Sequence, residues 1–203
     1  MSRSRSLTPV SDKLILASAS PRRANILSAH GVPFEVLATA APEVSIPEAP
    51  ERTVLDNARA KLVAARQALA RAGRNDFRAV LAADTIVWFN NRIYGKPRDL
   101  AEAAEFLREL SGRTHTVFTG VAYTDGDGEI AVACERSEVT FRELDEKAIA
   151  EYVKRVRPVD RAGAYDIDES GDLIVASYVG SYENIMGLPY GLLEKLGVVP
   201  KEV

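Results

Sequence analysis

Cysteine is almost absent: Cys134 is the only one in 203 residues, which excludes an internal disulfide and a cysteine-rich zinc site. Long apolar runs are absent too, and none approaches the ~20 residues that a membrane-spanning helix needs. There is no excess of positive charge. The 26 Lys and Arg residues against 29 Asp and Glu leave a formal charge of −3, which excludes a general nucleic-acid coat and confines any anion site to a local pocket. Internal repeats, low-complexity tracts and a proline-rich linker are also missing, so residues 13–203 are expected to form one domain, or one domain with two lobes. Residues 1–12 are rich in Ser and Arg but have neither a signal-peptide core nor the apolar face of a transit peptide, and they read as a disordered tail. These absences together point to a cytoplasmic protein without a membrane or nucleic-acid partner.

What is present is an alternation of strand-like and helix-like patterns. Leu14 to Ala17 is a short apolar run, and Ser20 followed by Pro21 signals a helix start, with a hydroxyl cap and then proline at the first helical position. That helix is expected to stop near His30-Gly31. Phe34 to Leu37 reads as a strand and Ala38 to Pro50 as a loop with Glu43 at its centre. Val54, Leu55, Ala58, Leu62, Ala65 and Leu69 recur at three- and four-residue steps, which predicts a helix from about Glu51 to Ala72 with Lys61 at the border of its buried face. Ala79 to Phe89 reads as a buried strand, Asn90-Asn91 as a turn and Arg92 to Tyr94 as the returning strand of a hairpin. Asp99 caps a helix that ends at Ser111-Gly112. Two long strands follow, Arg113 to Thr124 and Ile130 to Arg142, joined by the turn Asp125-Gly-Asp-Gly128, which lacks the later ligands of a calcium loop. Asp145 opens a helix to Val156, Leu173 to Val179 is a last strand, Asn184 to Leu188 a turn, and Pro189 to Leu196 a closing helix.

Chemistry concentrates at a few points in this pattern. Ser18, Ser20, Arg22 and Arg23 place hydroxyls and two guanidinium groups at a helix N-terminus, where unpaired N–H groups already favour an anion. Spacing alone does not separate that reading from a capped surface helix with two solvated arginines. Asp84 lies inside the most apolar run of the chain, and a carboxylate there is costly unless a metal, a cation or several donors compensate it. Lys96 stands between Gly95 and Pro97, a rigid setting that aims a point charge.

Taken in order, Ser18-Ala-Ser-Pro-Arg-Arg23, Ala83-Asp-Thr-Ile-Val87, Gly95-Lys-Pro97, Leu110-Ser-Gly112, Asp160-Arg-Ala-Gly-Ala-Tyr165 and Gly187-Leu-Pro189 resemble the motifs of the Maf family of nucleoside triphosphate pyrophosphatases. The resemblance runs from Lys13 to Gly197 and implies an α/β fold similar to that of the inosine triphosphate pyrophosphatases: a long twisted mixed sheet, flanking helices and a cleft between two lobes. It also implies hydrolysis between the α and β phosphates of a nucleoside triphosphate, giving a monophosphate and pyrophosphate. The resemblance implies in addition a need for a divalent cation, magnesium first and manganese second.

Carried over position by position, the resemblance makes Asp84 the proton acceptor and Glu43 its partner in holding the metal. Ser18, Ser20, Arg22, Arg23, Lys61 and Lys96 become the phosphate-binding group. Three positions discriminate substrates: Arg22 and Thr85 match the branch acting on dTTP and UTP, whereas Asp168 stands where that branch has glutamine and matches in charge the branch acting on 7-methyl-GTP. A homodimer is what the resemblance suggests. The competing expectations are a nucleotide-binding regulator of septum formation without useful catalysis, and a pocket for a phosphosugar or coenzyme.

Overall fold

The computed structural model describes residues 12–125 and 128–200. The expected tail therefore lies outside the described residues except for Asp12, as do the two central residues of the turn between the long strands.

The chain forms a seven-stranded mixed sheet with helices against both faces. Strands β1 (Leu14–Leu16), β2 (Phe34–Val36), β3 (Ala79–Phe89), β4 (Arg92–Tyr94), β5 (Thr114–Asp125), β6 (Ala131–Phe141) and β7 (Val175–Val179) run in the order β2-β1-β3-β5-β6-β7, with β4 on β3. β1 pairs in parallel with β2 and β3, and the remaining pairings are antiparallel. The helices are α1 (Pro21–Ala29), α2 (Pro50–Arg71), α3 (Leu100–Leu110), α4 (Glu146–Val156), α5 (Tyr182–Met186) and α6 (Tyr190–Lys195). Asp99 and Asp145 cap α3 and α4 as their positions predict, accepting from the Glu102 and Ala148 amides.

The period of two in β3 divides the core. Val80 and Ala82 face α2, where they meet Ala58, Leu62 and Ala65, and Leu81 and Ala83 face α1, where they meet Ile26 and Leu27. A third cluster gathers α3 and α4 around Phe106, Leu107, Phe141 and Tyr152 at the other end of the long strands. Each fully buried leucine here contributes about 2 kcal/mol relative to exposure.

Three local expectations change. The turn read at Asn184 to Leu188 begins as the short helix α5, capped by Ser181, whose hydroxyl accepts from the Asn184 amide, and Gly187 ends it at φ 101°. The last strand starts two residues late because Gly171–Leu173 coil into a 3-10 turn. Ser20 does occupy the N-cap of α1, but its hydroxyl makes no capping bond; its amide donates instead to Ser18 Oγ.

Gly120 decides how closely α2 lies on the sheet. A Cβ there would sit 2.5 Å from the carbonyl oxygen of Val54 and 2.9 Å from the Leu55 amide. Backbone cannot yield as a side chain does, so Gly120→Ala is expected to cost about 1–3 kcal/mol and to lower the melting temperature by about 5 °C in a chain of this size. A melting temperature within a degree of wild type would show that α2 is not seated on Gly120. The same residue pairs with Asp84 in the β3–β5 ladder, so the close approach sets α2 directly over that carboxylate.

Candidate active site

Asp84 sits in an unbroken strand, 6% exposed, on the face turned to α2. Its burial is compensated on both oxygens. Lys61 Nζ lies 2.5 Å from Oδ1, and Asn57 Nδ2 donates to Oδ2 at 3.0 Å. Lys61 Nζ also lies 2.7 Å from Glu43 Oε1. Two carboxylates from separate elements thus converge on one ammonium group. The hydrogen bond from Lys61 holds the Glu43 carboxyl below the ordinary carboxylate range, against the opposing effect of partial burial.

The loop that carries Glu43 is fastened to α2. Asn57 Oδ1 accepts from the Val44 amide at 2.8 Å, and its Nδ2 donates to the Val44 carbonyl at 3.0 Å. Thr53 Oγ1 accepts from the Ile46 amide at 3.0 Å, and Trp88 Nε1 donates to the Pro47 carbonyl at 2.8 Å. Asn57 therefore fixes the Glu43 loop and Asp84 with one buried amide group.

Across the strand, Arg23 is drawn into the framework. Its Nη1 donates to Ser18 Oγ at 3.0 Å and to the Ala83 carbonyl at 2.9 Å, its Nη2 to Thr85 Oγ1 at 3.1 Å, and its Nε to the Gly187 carbonyl at 2.8 Å. Burial pulls its pKa down to about 10, with Asp84 opposing, so it remains cationic at neutral pH. Thr85 is also tied to Thr119, whose hydroxyl lies 3.0 Å from its own and reaches the Asn184 carbonyl. Arg22, one position earlier, points elsewhere, and its Nη1 lies 3.3 Å from Asp166 Oδ2.

These groups line one cleft of about 780 Å³. Of the ten residues expected from the sequence, Ser18, Ser20, Arg22, Arg23, Glu43, Lys61, Asp84, Thr85 and Lys96 are in its wall, and Asp168 is not. The Asp168 carboxylate instead accepts a hydrogen bond from the Tyr182 hydroxyl. Lys96 is exposed between two held neighbours: Pro97 is buried, and the Gly95 carbonyl accepts from the Gly163 amide at 3.1 Å. The site residues that sequence reasoning missed are Thr53, Asn57 and Asp166. Thr53, Asn57 and Lys61 recur every four residues beside the apolar stripe of α2, a polar stripe at helical spacing that faces the cleft.

A family model described as Maf-like protein matches residues 13–196. The chain belongs to the Maf family. Among curated proteins it is 42% identical over 182 residues to the dTTP/UTP pyrophosphatase of Bacillus anthracis strain CDC 684, covering 89% of this chain and 92% of that one. The dTTP/UTP pyrophosphatase of Bacillus cereus strain AH820 matches to the same extent. Among solved structures, the Staphylococcus aureus Ham1 protein superposes with a TM-score of 0.53 at 14% identity, over 94% of this chain and all of that one. This Maf chain therefore has the mixed-sheet α/β fold that the motif resemblance implied. No helix among the described residues is long and apolar enough to cross a membrane.

Proposed function

We propose that this Maf-family chain is a metal-dependent nucleoside triphosphate pyrophosphatase acting on dTTP and UTP, as its curated relatives are named. The observation that carries the reading is the convergence of Asp84, Glu43 and Lys61 at one point of a cleft whose wall also holds Lys96. Acids for a cation and bases for phosphates are the two requirements of phosphoanhydride hydrolysis.

The residues present fit a hard divalent cation of the magnesium type. Among the described residues, no group of three His, Cys, Asp or Glu gathers, so the protein alone offers no closed cage. Magnesium is commonly held by one or two carboxylates, with waters and substrate phosphates completing its shell, and Glu43 and Asp84 are such a pair. The bound cation would polarise phosphoryl oxygen and neutralise developing charge.

The protein's own groups divide the rest of the work. Asp84 takes the proton of the attacking water as the water oxygen bonds to the α phosphorus and the bond to the leaving pyrophosphate breaks. Asn57 keeps that carboxylate aimed. Lys61 and Lys96 offset the charge that builds on the leaving group, and Ser18 and Ser20 donate to phosphate oxygens. Such an enzyme works in the cytoplasm, where its nucleotides are.

The test is product analysis over dTTP, UTP, CTP, GTP and 7-methyl-GTP, with magnesium and with chelator. Monophosphate and pyrophosphate from dTTP and UTP, lost on chelation and restored by magnesium, are expected. Diphosphate and inorganic phosphate as products, or turnover that is indifferent to chelation, would overturn the reading.

A further inference from the structure

Asp166 is a buried carboxylate in the wall of the cleft, and the hydrolytic steps leave it without a task. It is densely held. Oδ2 accepts from Arg161 Nε at 2.9 Å and faces Arg22 Nη1 at 3.3 Å, while Oδ1 accepts from the Asp168 amide at 3.0 Å. Its backbone is fixed as well: the Asp166 amide donates to the Tyr152 hydroxyl at 2.9 Å, and that hydroxyl lies 3.2 Å from the Asp166 carbonyl. Burial pushes the Asp166 carboxyl up, but Arg161, the Asp168 amide and Arg22 together hold it below the usual range. Arg161 divides its remaining donors between Asp160 and Glu169 and is not in the cleft wall, whereas Arg22 is in that wall and, among the described residues, has Asp166 as its one carboxylate partner.

The cleft wall is not charged throughout: beside the cluster of Glu43, Lys61 and Asp84 it carries the apolar side chains of Ile185 and Met186, and of Tyr165 and Ile167, which flank Asp166 in the chain. Apolar surface beside a few fixed donors is what a nucleobase requires, and triphosphate belongs with the lysines.

Building on the nucleotide reading, we infer that Asp166 is a specificity-determining residue: it withdraws Arg22 from the phosphates and fixes it as a donor to the nucleobase. An unpaired Arg22 would attract the triphosphate of every nucleotide equally. Paired with Asp166, it carries little net charge but keeps directed N–H groups, which distinguish bases by their carbonyl oxygens.

The experiment measures dissociation constants by calorimetry for the non-hydrolysable α,β-methylene analogues of dTTP, UTP, CTP and GTP. The proteins are wild type, Asp166→Asn, Arg22→Gln, the double variant, and Glu169→Gln as a control that removes an outer partner of Arg161. Asp166→Asn is expected to compress the spread between the best and worst base by about tenfold, mainly by tightening the weak ones. The compression should vanish when Arg22 is already Gln, and the control should keep the wild-type spread. A spread unchanged within twofold in Asp166→Asn, or an equal weakening for all four bases with a lowered melting temperature, would overturn the inference. Failure of wild type to release pyrophosphate would defeat the functional reading instead, and it registers separately because binding is measured without turnover.

Discussion

Asp84→Asn is expected to lower kcat by about three orders of magnitude, the range in which a removed proton acceptor lies. The new amide keeps the shape of the carboxylate but neither accepts the water proton nor offers a charged oxygen to a cation. The fold should survive. Lys61 retains Glu43 at 2.7 Å, and the Asn57 amide can still donate to the remaining side-chain oxygen, so the cost is confined to one lost buried charge and a new amide N–H that faces the Lys61 ammonium. The measurement is pyrophosphate release at saturating substrate and magnesium, with a melting curve recorded alongside. A kcat within tenfold of wild type at an unchanged melting temperature would remove Asp84 from the chemistry and leave it a structural counter-ion for Lys61.

Asp84 stands out in the sequence for an energetic reason. A carboxylate flanked by Leu81-Ala-Ala83 and Ile86-Val87 has to be compensated, and the fold supplies the compensation on both of its oxygens. The helix stripe of α2 and the two aspartate caps are legible because each depends on neighbours within a few residues, and the long β5–β6 pair because its strands are consecutive in the chain. Contacts set by tertiary approach are not legible. Asn57 looks like an ordinary polar residue on a helix until the loop at Val44 folds over it, and Asp166 gains its meaning from Arg22, 144 positions away. Gly187 likewise reads as a turn residue, yet its carbonyl is one of the acceptors that fix Arg23.

Arg22 and Arg23 show the limit most clearly, because the motif resemblance puts both of them in the phosphate-binding group alike. Consecutive helical residues are about 100° apart around the axis, so the two side chains leave α1 toward different surfaces. Arg22 reaches Asp166, while Arg23 spends four of its five N–H groups on Ser18, Ala83, Thr85 and Gly187. Those acceptors come from the β1–α1 turn, from strand β3 and from the end of α5, so the guanidinium joins three walls of the cleft.

Arg23→Lys should therefore act as a stability variant. A lysine keeps the charge, but it cannot span the same fork, and at least two charge-assisted bonds would be lost. The expected cost is about 3 kcal/mol, which for a chain of this length is a fall of about 6–12 °C in melting temperature. Assayed well below that temperature, the KM for dTTP should stay within threefold of wild type. The opposite pattern, an unchanged melting temperature with KM raised tenfold or more, would mean that Arg23 meets phosphate directly and that its protein acceptors are exchanged for substrate.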